Sequence, residues 1–347
     1  MKNMTGHISS KIWGETDSGE VIHLFRLENE TGSYVEITNY GAAIVSVVVP
    51  DRYGRYGHVV LGFPQVSAYL NDNCYLGSTI GRYANRISNA HFELNGESYY
   101  LETNDGVNAN HGGLQGYNKR VFGAKIKENS LIMSLQSEDG DGGFPGNLEL
   151  EVIYDWSHDN TLNIVYKAIS DRDTPANFTN HTYFNLRGSD VTILEHKLTV
   201  SAAEIAEAGD DYIPTGRIIN AADLTFQNNL VEDKVKNTGN RITGVNTYYV
   251  LTDELIFKNR FAAELTDERS GRSLKVVTSY PGLFVYTGDF LAGDQLNHYQ
   301  GKCVPFGGLC LECQHYPDSI NRPEFPQAIT GPQRPYHEFI TFKFGLI

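Results

Sequence analysis

An all-β, antiparallel fold with few short helices is predicted by three features of this 347-residue chain. Glycine, tyrosine and phenylalanine are abundant, at 34, 21 and 17 residues, which is the composition of turns and strands rather than of helices. Turn signals recur at short intervals along the whole chain. Between them, apolar and polar residues alternate with the two-residue period of half-buried strands.

The individual elements follow in chain order. Residues 65–70 suit a short helical turn, and Asn95-Gly96 lies between the strand-like runs 91–94 and 98–101. Both loop residues tolerate positive φ, so a type I′ hairpin is expected there. Further hairpins are expected at Glu128-Asn129, at Asp159-Asn160, and at 269–272 around Ser270-Gly271. Residues 221–224 and 230–235 are the other helical candidates. The run 338–344 puts Ile340, Phe342 and Phe344 on one face and is expected to close the sheet. No charge run, low-complexity linker or shift of composition marks a boundary, so residues 1–347 are expected to form a single domain.

Charge and length restrict function. A net charge of −14 and a pI near 5.2 argue against nucleic acid and anionic membrane as partners, because phosphate binding requires clustered Lys and Arg. A small neutral ligand fits better. The longest apolar run, 42–49 with Ser46 inside it, is less than half of a membrane span, and residues 1–10 lack the apolar core of a signal peptide. A cytoplasmic chain, monomeric or homodimeric, is the expectation.

Four cysteines in a chain of this size do not suggest a disulfide framework. Cys310 and Cys313 form a C-x-x-C pattern, but residues three apart in a strand face opposite ways and cannot share a metal. No HExxH, Walker loop or dinucleotide glycine fingerprint occurs, so no metal and no cofactor is expected. The glycine-rich segment 139–146 carries two Asp and no Lys, and reads as a solvated turn or a sugar-side loop rather than a phosphate cradle.

Polar residues suited to a sugar cluster in a few places: Arg82 and Arg86 in Gly81-Arg82-Tyr83-Ala84-Asn85-Arg86-Ile87, His111 in Asn110-His111-Gly112-Gly113, His181, and Glu312. A strand His is more often a hydrogen-bonded structural residue than a catalyst, and an Arg is usually solvated or paired. Glu312 is less ordinary. A carboxylate beside Leu309 and Leu311 is costly to bury without a partner or a purpose.

At these residues the chain resembles the aldose 1-epimerase, or galactose mutarotase, family. Gly81 to Ile87 is similar to the family's G-R-x-A-N-R-I segment, and Asn110 to Gly113 to a shortened N-x-x-H-G-G loop. Asn180-His181-Thr182-Tyr183-Phe184-Asn185-Leu186 matches the N-H-[ST]-Y-F-N-L signature almost letter for letter. Pro214-Thr215-Gly216, Tyr286-Thr287-Gly288, and Glu312-Cys313-Gln314 with Pro317-Asp318-Ser319 complete the series in order.

The resemblance implies a large antiparallel β-sandwich that interconverts α and β anomers of free aldoses without a cofactor. It makes Glu312 the general base, His181 the general acid, and Arg82 and His111 sugar-binding residues. Where the family carries an aspartate and then a histidine, this chain has Asn246 and Thr247, a departure that bears on choice of sugar. The implied reaction takes the O1 proton while delivering one to O5, and needs an ionised carboxylate and a protonated imidazole. Attraction between opposite charges is expected to favour both ionised forms. Aromatic residues near the motifs, among them Phe144, Tyr183 and Tyr286, could face a sugar ring, although packing is the commoner role. Two other functions remain compatible with these motifs: a hexose phosphate 1-epimerase, which needs an added basic pocket, and a sugar-binding protein without catalysis.

Overall fold

A computed structural model of the protein describes residues 7–189, 191–237, 239, 242–251 and 259–347. It is built from antiparallel sheets. A nine-stranded sheet runs, in spatial order, Gly123–Lys127, Ser130–Ser137, Leu148–Trp156, Thr161–Ser170, Tyr336–Leu346, Arg272–Thr278, Arg260–Asp267, Lys197–Val200 and Gln227–Leu230. A six-stranded sheet runs Tyr183–Phe184, Leu309–Gln314, Gly282–Tyr286, Asn246–Val250, Glu204–Ala208 and Pro214–Asn220. A five-stranded sheet is made from the N-terminal strands between His7–Glu15 and Tyr56–His58.

Alternation accounts for the layering. In Leu148–Trp156, Leu148, Leu150, Val152, Tyr154 and Trp156 are buried and the residues between them are not. These side chains meet Leu283, Val285, Leu311 and Cys313 of the six-stranded sheet in one apolar core, the interior of a β-sandwich. The opposite face of the six-stranded sheet carries Glu312, Phe284, Tyr286 and Asn246. The fold therefore offers a face of mixed aromatic and polar side chains on strands whose other side is fixed by the core.

The Asn95-Gly96 hairpin joins His91–Leu94 to Glu97–Tyr100, with φ of 53° and 83° at its two loop residues. Strand pairs also flank Glu128-Asn129, Asp159-Asn160 and Ser270-Gly271. Helix is confined, among the described residues, to Val66–Leu70 and 3₁₀ turns that include Ala222–Leu224 and Val231–Lys234. No described helix is long and apolar enough to cross a membrane.

The final strand, Tyr336–Leu346, closes the nine-stranded sheet from within, lying between Thr161–Ser170 and Arg272–Thr278. Ile340, Phe342 and Phe344 share a buried face that packs into the main core, while the neighbour on each side pairs the strand's backbone N–H and C=O groups.

Candidate active site

The motif residues around His181 divide into pegs and tools. Asn180 Nδ2 donates to the Gly77 carbonyl at 2.8 Å, and Asn185 Nδ2 donates to Gly307 O at 3.0 Å. Phe184 and Leu186 enter the main core. The His181 N–H donates to Ser78 O at 2.9 Å and its carbonyl accepts from Gly77 N–H at 3.0 Å. With its backbone held on both sides, the imidazole projects over the six-stranded sheet.

Glu312 comes from the neighbouring strand Leu309–Gln314, and Oε1 lies 3.7 Å from His181 Nε2. Both groups are almost fully buried. The other carboxylate oxygen, Oε2, has no hydrogen-bond partner among the described residues. The other His181 ring nitrogen, Nδ1, is 3.5 Å from the Cys310 thiol, so Nε2 is the nitrogen presented to Glu312. Cys313 points into the opposite core, as the alternation of a strand requires.

His111 is placed by its glycines. It has φ 53°, and Gly112 and Gly113 follow at 87° and 86°. A Cβ on Gly112 would stand 1.9 Å from the Gly81 carbonyl oxygen, so a side chain there would push the His111 loop off the Gly81 segment. The Asn85 N–H donates to His111 Nδ1 at 3.2 Å, which puts the ring proton of the neutral imidazole on Nε2. His111, His181 and Glu312 bring their nitrogen and oxygen atoms within 4.8 Å of one another, a spacing from which three ligands could converge on a metal. The His111 tautomer opposes this: with Nδ1 occupied and Nε2 protonated, the ring is a donor to an oxygen rather than a metal ligand.

The structure does not bring Arg82 to this place. Its guanidinium is buried and donates to Pro145 O, Gly146 O, Ser137 O, Ser137 Oγ and Thr174 Oγ1 at 2.6–3.2 Å, fastening the glycine-rich segment 139–146 to the body of the protein. Arg86, four residues on, lies at the cleft instead. Its Nε donates to Asp105 Oδ2 at 2.6 Å, and its guanidinium carbon is 5.1 Å from the centre of the Tyr212 ring.

These residues line a cleft of about 660 Å³, within the usual range for small-molecule sites. Asn246, Tyr183 and Tyr286 also line it, whereas Phe144 is buried against Phe92 and Arg82. Tyr75, Asp105, Tyr212 and Phe290 come from connecting segments with no periodicity to betray them. Phe284 was readable, because it is two residues from Tyr286 on the same strand face.

Burial governs the ionisation of the pair, contrary to the expectation from charge attraction. Loss of water raises the Glu312 carboxyl to about 8, opposed by Arg86, and lowers His181 to about 4. His111 is pushed well below its usual value by burial and then by His181 and Arg86. Between about 4 and about 8 the Glu312–His181 pair thus holds one proton in total, resting on the carboxyl when the cleft is empty.

A β-sandwich whose cleft sets a carboxyl on one strand against an imidazole from the connection before the neighbouring strand, beside tyrosine rings and a histidine donor, has the makings of an acid–base catalyst for a polyhydroxylated ligand. The chain belongs to the aldose 1-epimerase family, whose model matches residues 23–343. It is 35% identical to mouse galactose mutarotase over 343 residues, covering 98% of this chain and 99% of the relative. It is 32% identical to aldose 1-epimerase of Escherichia coli K12 over 334 residues, covering 94% and 96%. The solved structure of an aldose epimerase homologue from C. elegans superposes with a TM-score of 0.88 at 27% identity, covering 93% of this chain and 99% of that one. The protein is accordingly an enzyme of the isomerase class.

Proposed function

We propose that the enzyme interconverts the α and β anomers of free aldoses such as galactose and glucose, with Glu312 and His181 carrying the protons. The observation that supports this most directly is the 3.7 Å approach of His181 Nε2 to Glu312 Oε1 at the floor of the cleft. In the reactive arrangement Glu312 is ionised near O1 and His181 is protonated near O5. This state has the same proton count as the resting pair, so binding need only move one proton from carboxyl to imidazole. Glu312 takes the O1 proton as His181 gives its proton to O5; the C1–O5 bond breaks and C1 becomes an aldehyde. Rotation about C1–C2 and the reverse transfers close the other anomer. Each transfer contributes roughly 10² to 10⁴ in rate.

His111 Nε2–H and Arg86 are positioned to donate to sugar oxygens, and Asn246 offers both a donor and an acceptor. The cleft favours an unphosphorylated sugar. Arg86 is the one Lys or Arg among its described lining residues, it is paired with Asp105, and Asp210 and Asp211 stand nearby. The test is polarimetry on freshly dissolved α-D-galactose and α-D-glucose, with anomer exchange of glucose 6-phosphate followed alongside. Acceleration of the free sugars is expected. A protein that binds sugar yet leaves the spontaneous rate unchanged is a binder, and a preference for the phosphate sinks the free-aldose reading.

A further inference from the structure

Tyr75 takes no part in the proton transfers, yet the protein holds it at some cost. Its φ is 60°, in the left-handed region that disfavours a bulky side chain. The segment around it is tied down on both sides. The Asp72 carboxylate accepts the N–H groups of Cys74 and Leu76 at 2.8 and 2.7 Å, and Ser78 N–H donates to the Tyr75 carbonyl at 3.0 Å. Two and three residues further on, Gly77 and Ser78 hold the His181 backbone.

The ring so held lies against both histidines of the cleft. Its centroid is 4.8 Å from that of His111 and 5.7 Å from that of His181, while the two imidazoles stand edge to face at 5.3 Å. Three rings therefore brace one another; Tyr75 and His111 both have left-handed backbones, and Tyr75 is the member that neither transfers a proton nor is offered to the sugar as a donor. Local strain that survives only because its surroundings over-determine it is a mark of pre-organised sites.

We propose that Tyr75 is the positioning residue of this site: its strained backbone sets the ring against both His111 and His181, fixing the two imidazoles and keeping water from their flank. The proposal rests on the epimerase reading for its effect on rate, but its effect on the histidines is independent of any reaction. His181 is also faced by Glu312, Tyr183, Tyr286 and Cys310, with Arg86 beyond His111, and all of these remain when Tyr75 is replaced.

The test compares Tyr75→Phe, Tyr75→Ala and Tyr75→Gly by polarimetry, thermal melting and an NMR titration of the His181 ring without sugar. The Phe variant should stay near the parent. The Ala and Gly variants should both lose kcat by roughly tenfold to a hundredfold, the scale of a misplaced catalytic group. Water admitted beside His181 should move its titration up from about 4 toward 6.5, and the acid limb of kcat/KM with it. The Gly variant should melt above the Ala variant, since only Ala retains a Cβ in the left-handed region. A tyrosine that merely supports the fold would lower Tm without moving the His181 titration. An unmoved titration together with kcat within about twofold of the parent in the Gly variant overturns the proposal. Should the parent fail to accelerate mutarotation, the epimerase reading falls, while the NMR titration still decides the role of Tyr75.

Discussion

Phe284 stands directly across the strand pair from Glu312, and Tyr248 flanks Phe284 on its far side. The carboxyl thus shares its sheet face with aromatic rings rather than with a cation in contact, which is why loss of water dominates its ionisation.

Glu312→Gln should lower kcat by at least about a hundredfold while much of the sugar binding persists, because an amide of nearly the same size cannot take the O1 proton. Stability supplies a second readout. A carboxyl raised by folding contributes stability that is present below its unfolded value of 4.5 and lost as pH rises through about 8. Between pH 6 and pH 9 the parent should therefore lose more in Tm than the Gln variant. Turnover of the variant within a few-fold of the parent would remove Glu312 from the mechanism.

The profile of kcat/KM against pH should be a bell spanning the range in which the pair holds one proton, with an acid limb near 4 and an alkaline limb near 8. The acid limb belongs to protonation of His181 and the alkaline limb to ionisation of Glu312, the reverse of ordinary side chains. In His181→Asn only an ionised Glu312 can still act, so the alkaline limb should disappear and whatever activity remains should rise as pH passes about 8. Phe284→Gln should move the alkaline limb below 8 by bringing a polar group beside the carboxyl. A profile whose limbs ignore both substitutions would place the ionisations elsewhere.

Arg82 and Arg86 should separate cleanly. Arg82→Met leaves several buried carbonyls without a donor, at about 1–3 kcal/mol for each one left unsatisfied, so Tm should drop with KM nearly unchanged. Arg86→Met should instead raise KM with a smaller effect on Tm. The reverse pattern, read from kinetics and melting of the two variants, would return Arg82 to the sugar.

Asn246→Asp should sharpen selection among aldoses. A charge-assisted hydrogen bond contributes about 1.5–3 kcal/mol against roughly 0.5–1.5 for a neutral one, about an order of magnitude in kcat/KM for a sugar with a hydroxyl there. Ratios of kcat/KM over galactose, glucose, xylose, arabinose and maltose check this. Identical ratios in parent and variant would show that Asn246 does not read the substrate.

Prolonged treatment with EDTA should leave the rate intact, since the proton on His111 Nε2 suits an oxygen acceptor and the proposed transfers need no Lewis acid. Loss of activity on chelation, restored by one divalent ion, would contradict this.

The sequence exposed what is local. Hairpins such as Asn95-Gly96 announce themselves by residues that accept positive φ, and His111, His181 and Glu312 stand in motifs whose neighbours are their backbone pegs. Arg82 and Arg86 could not be told apart in this way, since both belong to one short segment; the acceptors that capture Arg82 lie near residues 137, 146 and 174, which only the folded chain brings to it. Tyr75 and Phe284 were passed over for different reasons, the first because it sits in an aperiodic loop and the second because one aromatic among many reads as core. Ionisation failed for a quantitative reason. Counting charges near Glu312 gives one sign and removing its water gives the other, and the balance depends on burial that letters do not report.

The interior position of Tyr336–Leu346 bears on how the chain is made. Thr161–Ser170 and Arg272–Thr278 leave the ribosome earlier and lack their shared native neighbour, since the strand that separates them follows both in the chain. Until it arrives, the nascent protein carries two open strand edges that invite pairing with other chains. Synthesis of this enzyme should consequently depend on speed of completion or on chaperones that cover those edges, and mutations that slow insertion of Ile340, Phe342 and Phe344 should reduce yield more than they reduce the activity of the molecules that mature.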